Sequence, residues 1–101
     1  MRFRTLWMPQ TEAFIKCLAP EPRRALRHAI KQLAAGKTAA LDLRALEGVL
    51  LGYMRLRVGT YRVIYCVNAE MRGPTLILLA AGPRSSIYEA FEKILAEQNP
   101  P

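Results

Sequence analysis

Arginine and tyrosine at alternating positions are the residues of this chain best suited to chemistry. Tyr53, Arg55 and Arg57 alternate along one segment, and Arg62 follows the pair Gly59-Thr60. In an extended strand alternate side chains share a face, so the first three form one row. Gly59-Thr60 fits a tight two-residue hairpin turn. Closing the hairpin there sets Val58 opposite Tyr61, Arg57 opposite Arg62 and Arg55 opposite Ile64, which brings Arg62 onto the same face. No acidic residue occurs between Gly48 and Asn68 to break up that charge. A guanidinium is a planar fork of donors that grips phosphate with two hydrogen bonds and stays charged when partly desolvated. Such a face can be a solvated basic surface, but three clustered arginines beside a tyrosine favour a phosphate cradle. Arg84 and Tyr88 follow the last apolar run, where they can reach its edge.

The whole chain carries the same bias. Fifteen Lys and Arg stand against eight Asp and Glu, a net charge of +7, and most of the cations are arginine. A small domain this basic suits a polyanionic partner, either nucleic acid or an acidic protein. Arginine cannot practically give up its proton, so it stabilises developing charge but is a poor base. Tyr88, whose phenolate neighbouring arginines would favour, is the candidate base, with Tyr53 in reserve; either ring could instead stack on a nucleobase. His28 lies in a helical stretch beside Arg23, Arg27 and Lys31 and reads as surface. Two cysteines without CxxC spacing and one histidine are too few for a zinc site, so neither metal nor cofactor is expected. Cys17 and Cys66 read as small core or partly buried residues, and so few cysteines suit a reducing compartment.

These side chains must be positioned by a single domain, 1–101, near the size at which one core suffices. Arg2 to Trp7 alternates like a half-buried strand. Thr11 can cap a short helix over 12–18, and Pro22 can open a second over 22–35 that Gly36 terminates. Leu26, Ile30 and Leu33 give that helix its core face. Within the hairpin, Met54, Leu56, Val58, Tyr61, Val63 and Tyr65 share the inward side. The run 75–81 is apolar throughout, as in a central strand buried on both faces. Ser86 to Glu89 is a capping-box pattern opening a last helix, with Ile87, Phe91, Ile94 and Leu95 inward, and a short polar tail follows. The class is α+β: an N-terminal strand and a helical hairpin packed on a small, mainly antiparallel sheet, with a C-terminal helix. The order reads strand, two helices, three strands, helix. No apolar run approaches the roughly 18–20 residues of a membrane span, and the start lacks a signal-peptide core. A cytoplasmic protein without membrane contact is expected.

Leu46-Glu47-Gly48, then Gly52-Tyr53-Met54-Arg55-Leu56-Arg57-Val58-Gly59-Thr60-Tyr61-Arg62-Val63-Ile64-Tyr65, resembles the central motif of the RelE/ParE toxin superfamily of type II toxin–antitoxin pairs. The segment Gly82 to Tyr88 looks like the one those toxins carry after their last strand. The RelE-like branch cuts messenger RNA in the ribosomal A site, and the ParE-like branch poisons DNA gyrase without being a nuclease. By position Arg55 matches a strand basic residue of the nuclease branch, Arg62 the second-strand arginine and Tyr88 the C-terminal tyrosine. Arg84 matches the basic position between them approximately. Arg57 joins from the hairpin geometry, and with Tyr53 would contact RNA. Where active members often carry a strand lysine, this chain has Tyr53 and Arg55. The resemblance thus implies a metal-independent mRNA endonuclease with a cognate antitoxin, the ribosome and mRNA as partners. The alternatives are a gyrase inhibitor or a non-catalytic member that binds RNA or antitoxin only. Arg62→Ala is expected to abolish toxicity while leaving the fold intact.

Overall fold

The structure, a computed structural model, describes residues 2–69 and 73–98, so the last three residues of the polar tail lie outside it. In chain order the elements are β1 (Arg4–Trp7), α1 (Pro9–Lys16), α2 (Pro20–Ala34), β2 (Asp42–Ala45), a 3-10 turn (Gly48–Leu50), β3 (Met54–Val58), β4 (Tyr61–Asn68), β5 (Thr75–Pro83) and α3 (Ile87–Gln98). The strands form one sheet in the order β1-β5-β4-β3-β2. β1 runs parallel to β5 and every other pair is antiparallel. The mainly antiparallel α+β architecture expected from the sequence is the one observed.

The sheet is a middle layer. On one face α1 and α2 bury Ile15, Leu26, Ile30 and Leu33 against Leu56, Val63, Tyr65, Leu76 and Leu78. Met54, Val58 and Tyr61 pack on the same cluster, so all six residues read as inward do face the helical hairpin. On the opposite face α3 closes a smaller core of Leu50, Ile64, Ala80, Ile87 and Phe91. Each fully buried Leu or Ile contributes about 1.5–3 kcal/mol. The hairpin register is also as expected: Val58 faces Tyr61, Arg57 faces Arg62 and Arg55 faces Ile64.

A bulge lets β5 serve both layers. Ile64 pairs with Ala80 but Tyr65 pairs with Leu78, which leaves Leu79 as an extra residue. Leu76 and Leu78 therefore face α1 and α2, whereas Leu79 and Ala80 both join the α3 side. The same phase change sets Gly82 opposite Arg62. A side chain at Gly82 would crowd Ile87, whose Cδ1 would lie 3.1 Å from the added Cβ.

Several boundaries differ from the sequence reading. The sheet has a further strand, β2, over Asp42–Ala45: Leu43 packs inward, as does Leu41 just before it, and Asp42 and Arg44 are exposed. α1 starts at Pro9 and not at 12, because proline at the first helical position gives up an N–H that needs no partner there. α2 starts at Pro20 for the same reason. Gly36, at φ 76°, ends α2 as expected. Cys17 is exposed, not a core residue. Among the described residues no helix is long and apolar enough to cross a membrane.

Thr11 is not a cap. It is fully buried inside α1, and its Oγ1 donates to the Leu78 carbonyl at 2.9 Å. The Met8 N–H also donates to that carbonyl, at 3.0 Å, so the acceptor stays satisfied without the threonine. Thr11→Val, nearly isosteric, should therefore cost only about 1 kcal/mol in a urea unfolding titration, the net worth of one hydrogen bond. A loss several times larger would mean the hydroxyl does more than tie α1 to β5.

Candidate functional site

The basic face is made by two cross-strand rows. Asp42, Arg57, Arg62 and Gly82 face one another across β2, β3, β4 and β5; Arg44, Arg55, Ile64 and Ala80 form the next row. Both rows contain a like-charge pair at directly facing positions, Arg57 with Arg62 and Arg44 with Arg55, and such pairs are destabilising. The fold relieves each in a different way.

Arg55 is only 7% exposed. Its Nη1 donates to the Asp42 carboxylate Oδ1 at 2.9 Å and to the Asp42 main-chain carbonyl at 3.2 Å. The other carboxylate oxygen, Oδ2, lies 3.7 Å from Arg57 Nη1. One acid on β2 thus serves two arginines of β3. The hydrogen bond from Arg55, aided by the positive charges of Arg55, Arg57 and Arg44, holds the Asp42 carboxyl below its ordinary value of 3.8 despite a partly opposing desolvation. Arg62, 5% exposed, folds back over the turn, where its Nη1 donates to the carbonyls of Gly59 and Tyr61, each at 2.9 Å. Arg62 is therefore a brace of the hairpin as well as a cation, so its removal is not neutral to the fold as the sequence suggested.

These residues wall a groove of about 490 Å³ lined by Asp42, Arg44, Glu47, Arg55, Arg57, Arg62, Arg84 and Tyr88, with Ala45 and Leu46. Five arginines against two acids leave a groove that attracts anions. Arg84 enters because its main-chain N–H donates to the Thr60 carbonyl at 2.9 Å, which ties the end of β5 to the hairpin turn. Tyr88, in the first turn of α3, is half-buried against the smaller core and lines the groove. The arrangement can hold an anionic, phosphate-bearing strand between fixed guanidinium groups. Among the described residues no three His, Cys, Asp or Glu side chains gather to hold a metal ion.

Solved structures with the same architecture are toxins. The RelBE2 toxin–antitoxin complex of Mycobacterium tuberculosis superposes with a TM-score of 0.67 at 21% identity, over 83% of this chain and all of the other. The RelE–RelB complex of Pyrococcus horikoshii gives 0.67 at 26% identity, covering 85% and 99%. The YoeB/ParE toxin of Agrobacterium tumefaciens gives 0.60 at 14%, covering 80% and 98%. This chain has the RelE/ParE toxin fold. No protein-family model and no curated protein sequence matches it.

Within this RelE/ParE fold, Arg55, Arg57, Arg62, Arg84 and Tyr88 all line one groove. Tyr53 does not. Its ring stands edge-on to Phe91, with centroids 5.0 Å apart, under α3. Sequence reasoning missed Asp42, Arg44 and Glu47, although the alternation over 41–45 was a usable signal for the strand that carries the first two. A second groove, of about 740 Å³, runs between β1 and α2. Phe3, Trp7 and Ile30 form its apolar part, and Arg27, Lys31 and Lys37 are exposed around it. His28 lies there too, exposed as expected.

Asp42 gives a pH signature with a definite sign. A carboxyl whose folded value lies below its unfolded value adds stability above the unfolded value and loses it as pH falls through the folded one. The Asp42 side-chain carboxyl, followed by carbon-detected NMR, should titrate below 3.8. In Arg55→Met it should move back toward the ordinary range. An Asp42 titration unchanged by that substitution would contradict the pairing.

Proposed function

We propose that this chain is the toxin of a type II toxin–antitoxin pair and that it cleaves messenger RNA on the ribosome. The observation that carries the reading is the groove in which five arginines and Tyr88 converge, in the fold of RelE-type toxins. RNA supplies its own nucleophile. Tyr88 is the proposed base: it takes the proton of the 2′-hydroxyl, whose oxygen bonds to the adjacent phosphorus as the P–O5′ bond breaks. The products are a 2′,3′-cyclic phosphate and a 5′-hydroxyl, whose oxygen takes its proton from water as it leaves. The extra negative charge on the phosphorane oxygens is met by Arg55, Arg62 and Arg84, and Arg57 holds a neighbouring phosphate. Fixed donors of this kind cost no reorganisation at the moment of reaction, and losing one costs on the order of 10²–10³ in rate.

An antitoxin is the proposed protein partner. The solved neighbours of Mycobacterium and Pyrococcus are toxin–antitoxin complexes. The apolar groove ringed by Arg27, Lys31 and Lys37 suits an amphipathic acidic segment of such a partner. Cytoplasmic action follows from the ribosomal target.

The test is to incubate the purified protein with ribosomes programmed by a defined messenger and to map new RNA ends, with naked messenger as the parallel arm. Ends at the A-site codon, present only with ribosomes, are expected. Arg84→Ala, which removes an exposed side chain, should lower the rate by about 10²–10³ with the unfolding midpoint unchanged. Arg62→Lys is the informative variant at the turn, since it keeps the charge where Arg62→Ala would also remove the brace. Intact messenger together with inhibited gyrase supercoiling would replace this reading with the gyrase one.

A further inference from the structure

We propose that Asp42 is a positioning residue of the groove: it holds Arg55 and Arg57 in place for the reacting phosphate while its own charge weakens the hold on RNA. The inference rests on the nuclease reading above and adds a residue from β2, outside the arginine hairpin.

The case starts from the surroundings of Arg55. Arg44 faces it directly on β2, Arg57 is the next residue on its face of β3, and its side chain is enclosed to 9% exposure. A guanidinium so placed cannot escape repulsion by swinging into water, as the half-exposed Arg57 can. It needs fixed acceptors, and Asp42 supplies them from the diagonal position. Three oxygens of this one residue do the holding: Oδ1 and the main-chain carbonyl on Arg55, Oδ2 beside Arg57.

Which donors are used matters as much. Both bonds of Arg55 leave from Nη1, and both bonds of Arg62 also leave from Nη1. Among the described residues the Nε–Nη2 edge makes no hydrogen bond in either case, and such an edge can form a two-bond fork to phosphate oxygens. The two buried arginines are thus pinned by one corner each, with a binding edge in reserve. Arg62 is pinned by main-chain carbonyls alone, whereas Arg55 depends for one of its two bonds on a side chain that can be changed.

The carboxylate also has an opposite effect. It lies in the groove wall at 50% exposure, where it repels an incoming phosphate and neutralises part of the arginine charge. Positioning and repulsion act on different measurements. Positioning governs the rate once RNA is bound; repulsion governs how tightly RNA binds.

Asp42→Ala and Asp42→Asn separate them. On programmed ribosomes the single-turnover cleavage rate of Asp42→Ala should fall by about ten- to a hundred-fold, the range for a misplaced catalytic group. Its affinity for a single-stranded oligoribonucleotide should rise several-fold, with a salt slope steeper by about 0.7. Asp42→Asn keeps an Oδ1 acceptor for Arg55 and should recover most of the rate while binding RNA as the alanine variant does. Nitrogen NMR of arginine side chains reads positioning without activity: the Arg55 Nη signals should be resolved in the wild type and averaged in Asp42→Ala. Rate and affinity falling together with the unfolding midpoint would make Asp42 merely structural, and both rising would make it a simple competitor; either overturns the proposal. Averaged Arg55 signals in the wild type would overturn it as well. A wild type that cuts nothing sinks the nuclease reading, and the Arg55 signals then decide whether Asp42 holds the guanidinium at all.

Discussion

Like charges at facing positions of a sheet repel, and the groove of this protein is built from such positions. Arg57 faces Arg62 and Arg44 faces Arg55 on the same side of three adjacent strands. The sheet tolerates them because each buried guanidinium is turned toward oxygen atoms: Arg62 toward the carbonyls of its own turn, Arg55 toward Asp42. Low exposure makes these bonds matter, since a buried charge without a partner is far more costly than one in water. The concentration of positive charge and its relief are therefore one arrangement. Among the described residues Arg44 and Arg84 make no ion pair, and their charge suits an anionic partner.

The layers on either side of the sheet fix where that groove can be. α1 and α2 pack a mainly aliphatic core on one face, which leaves the arginine rows on the other. α3 covers only part of that second face, packing Ile87 and Phe91 with Ile64 and Ala80, and its first turn sets Tyr88 at the groove. The bulge after Ile64 is the device that permits both. It rotates the end of β5 so that Ala80 and Gly82 turn toward α3, and the absence of a side chain at Gly82 lets Ile87 approach closely.

Much of this was legible in the residues. The hairpin register followed from a two-residue turn and strict alternation, both local features, and every pair read from them is the pair observed. The helical hairpin and last helix were legible from apolar spacing, with starts misplaced because Pro9 and Pro20, not residue 12 and Pro22, begin the first two helices. β2 was missed although Leu41 to Arg44 alternates, because so short a run is easily read as part of a loop. Without it the arginine face looked uncompensated, although Asp42 lies only thirteen positions from Arg55. Tyr53 was assigned to the correct face, but alternation cannot tell how far α3 reaches across that face, and α3 covers it.

By itself, then, the sequence determined which side chains share a face, because a strand's alternation and a two-residue turn are set by neighbours along the chain. It determined the excess of arginine and the apolar stripes that make the sheet a middle layer. Only the tertiary structure decided which face stayed open, which arginines were pinned and which left free, and that an acid from a separate strand stands among them. Those outcomes depend on contacts between residues far apart in the chain: α3 against the arginine face, β2 against β3, and the turn against the end of β5. They are settled when packing on both faces of the sheet is satisfied at once, a condition that no single stretch of sequence contains.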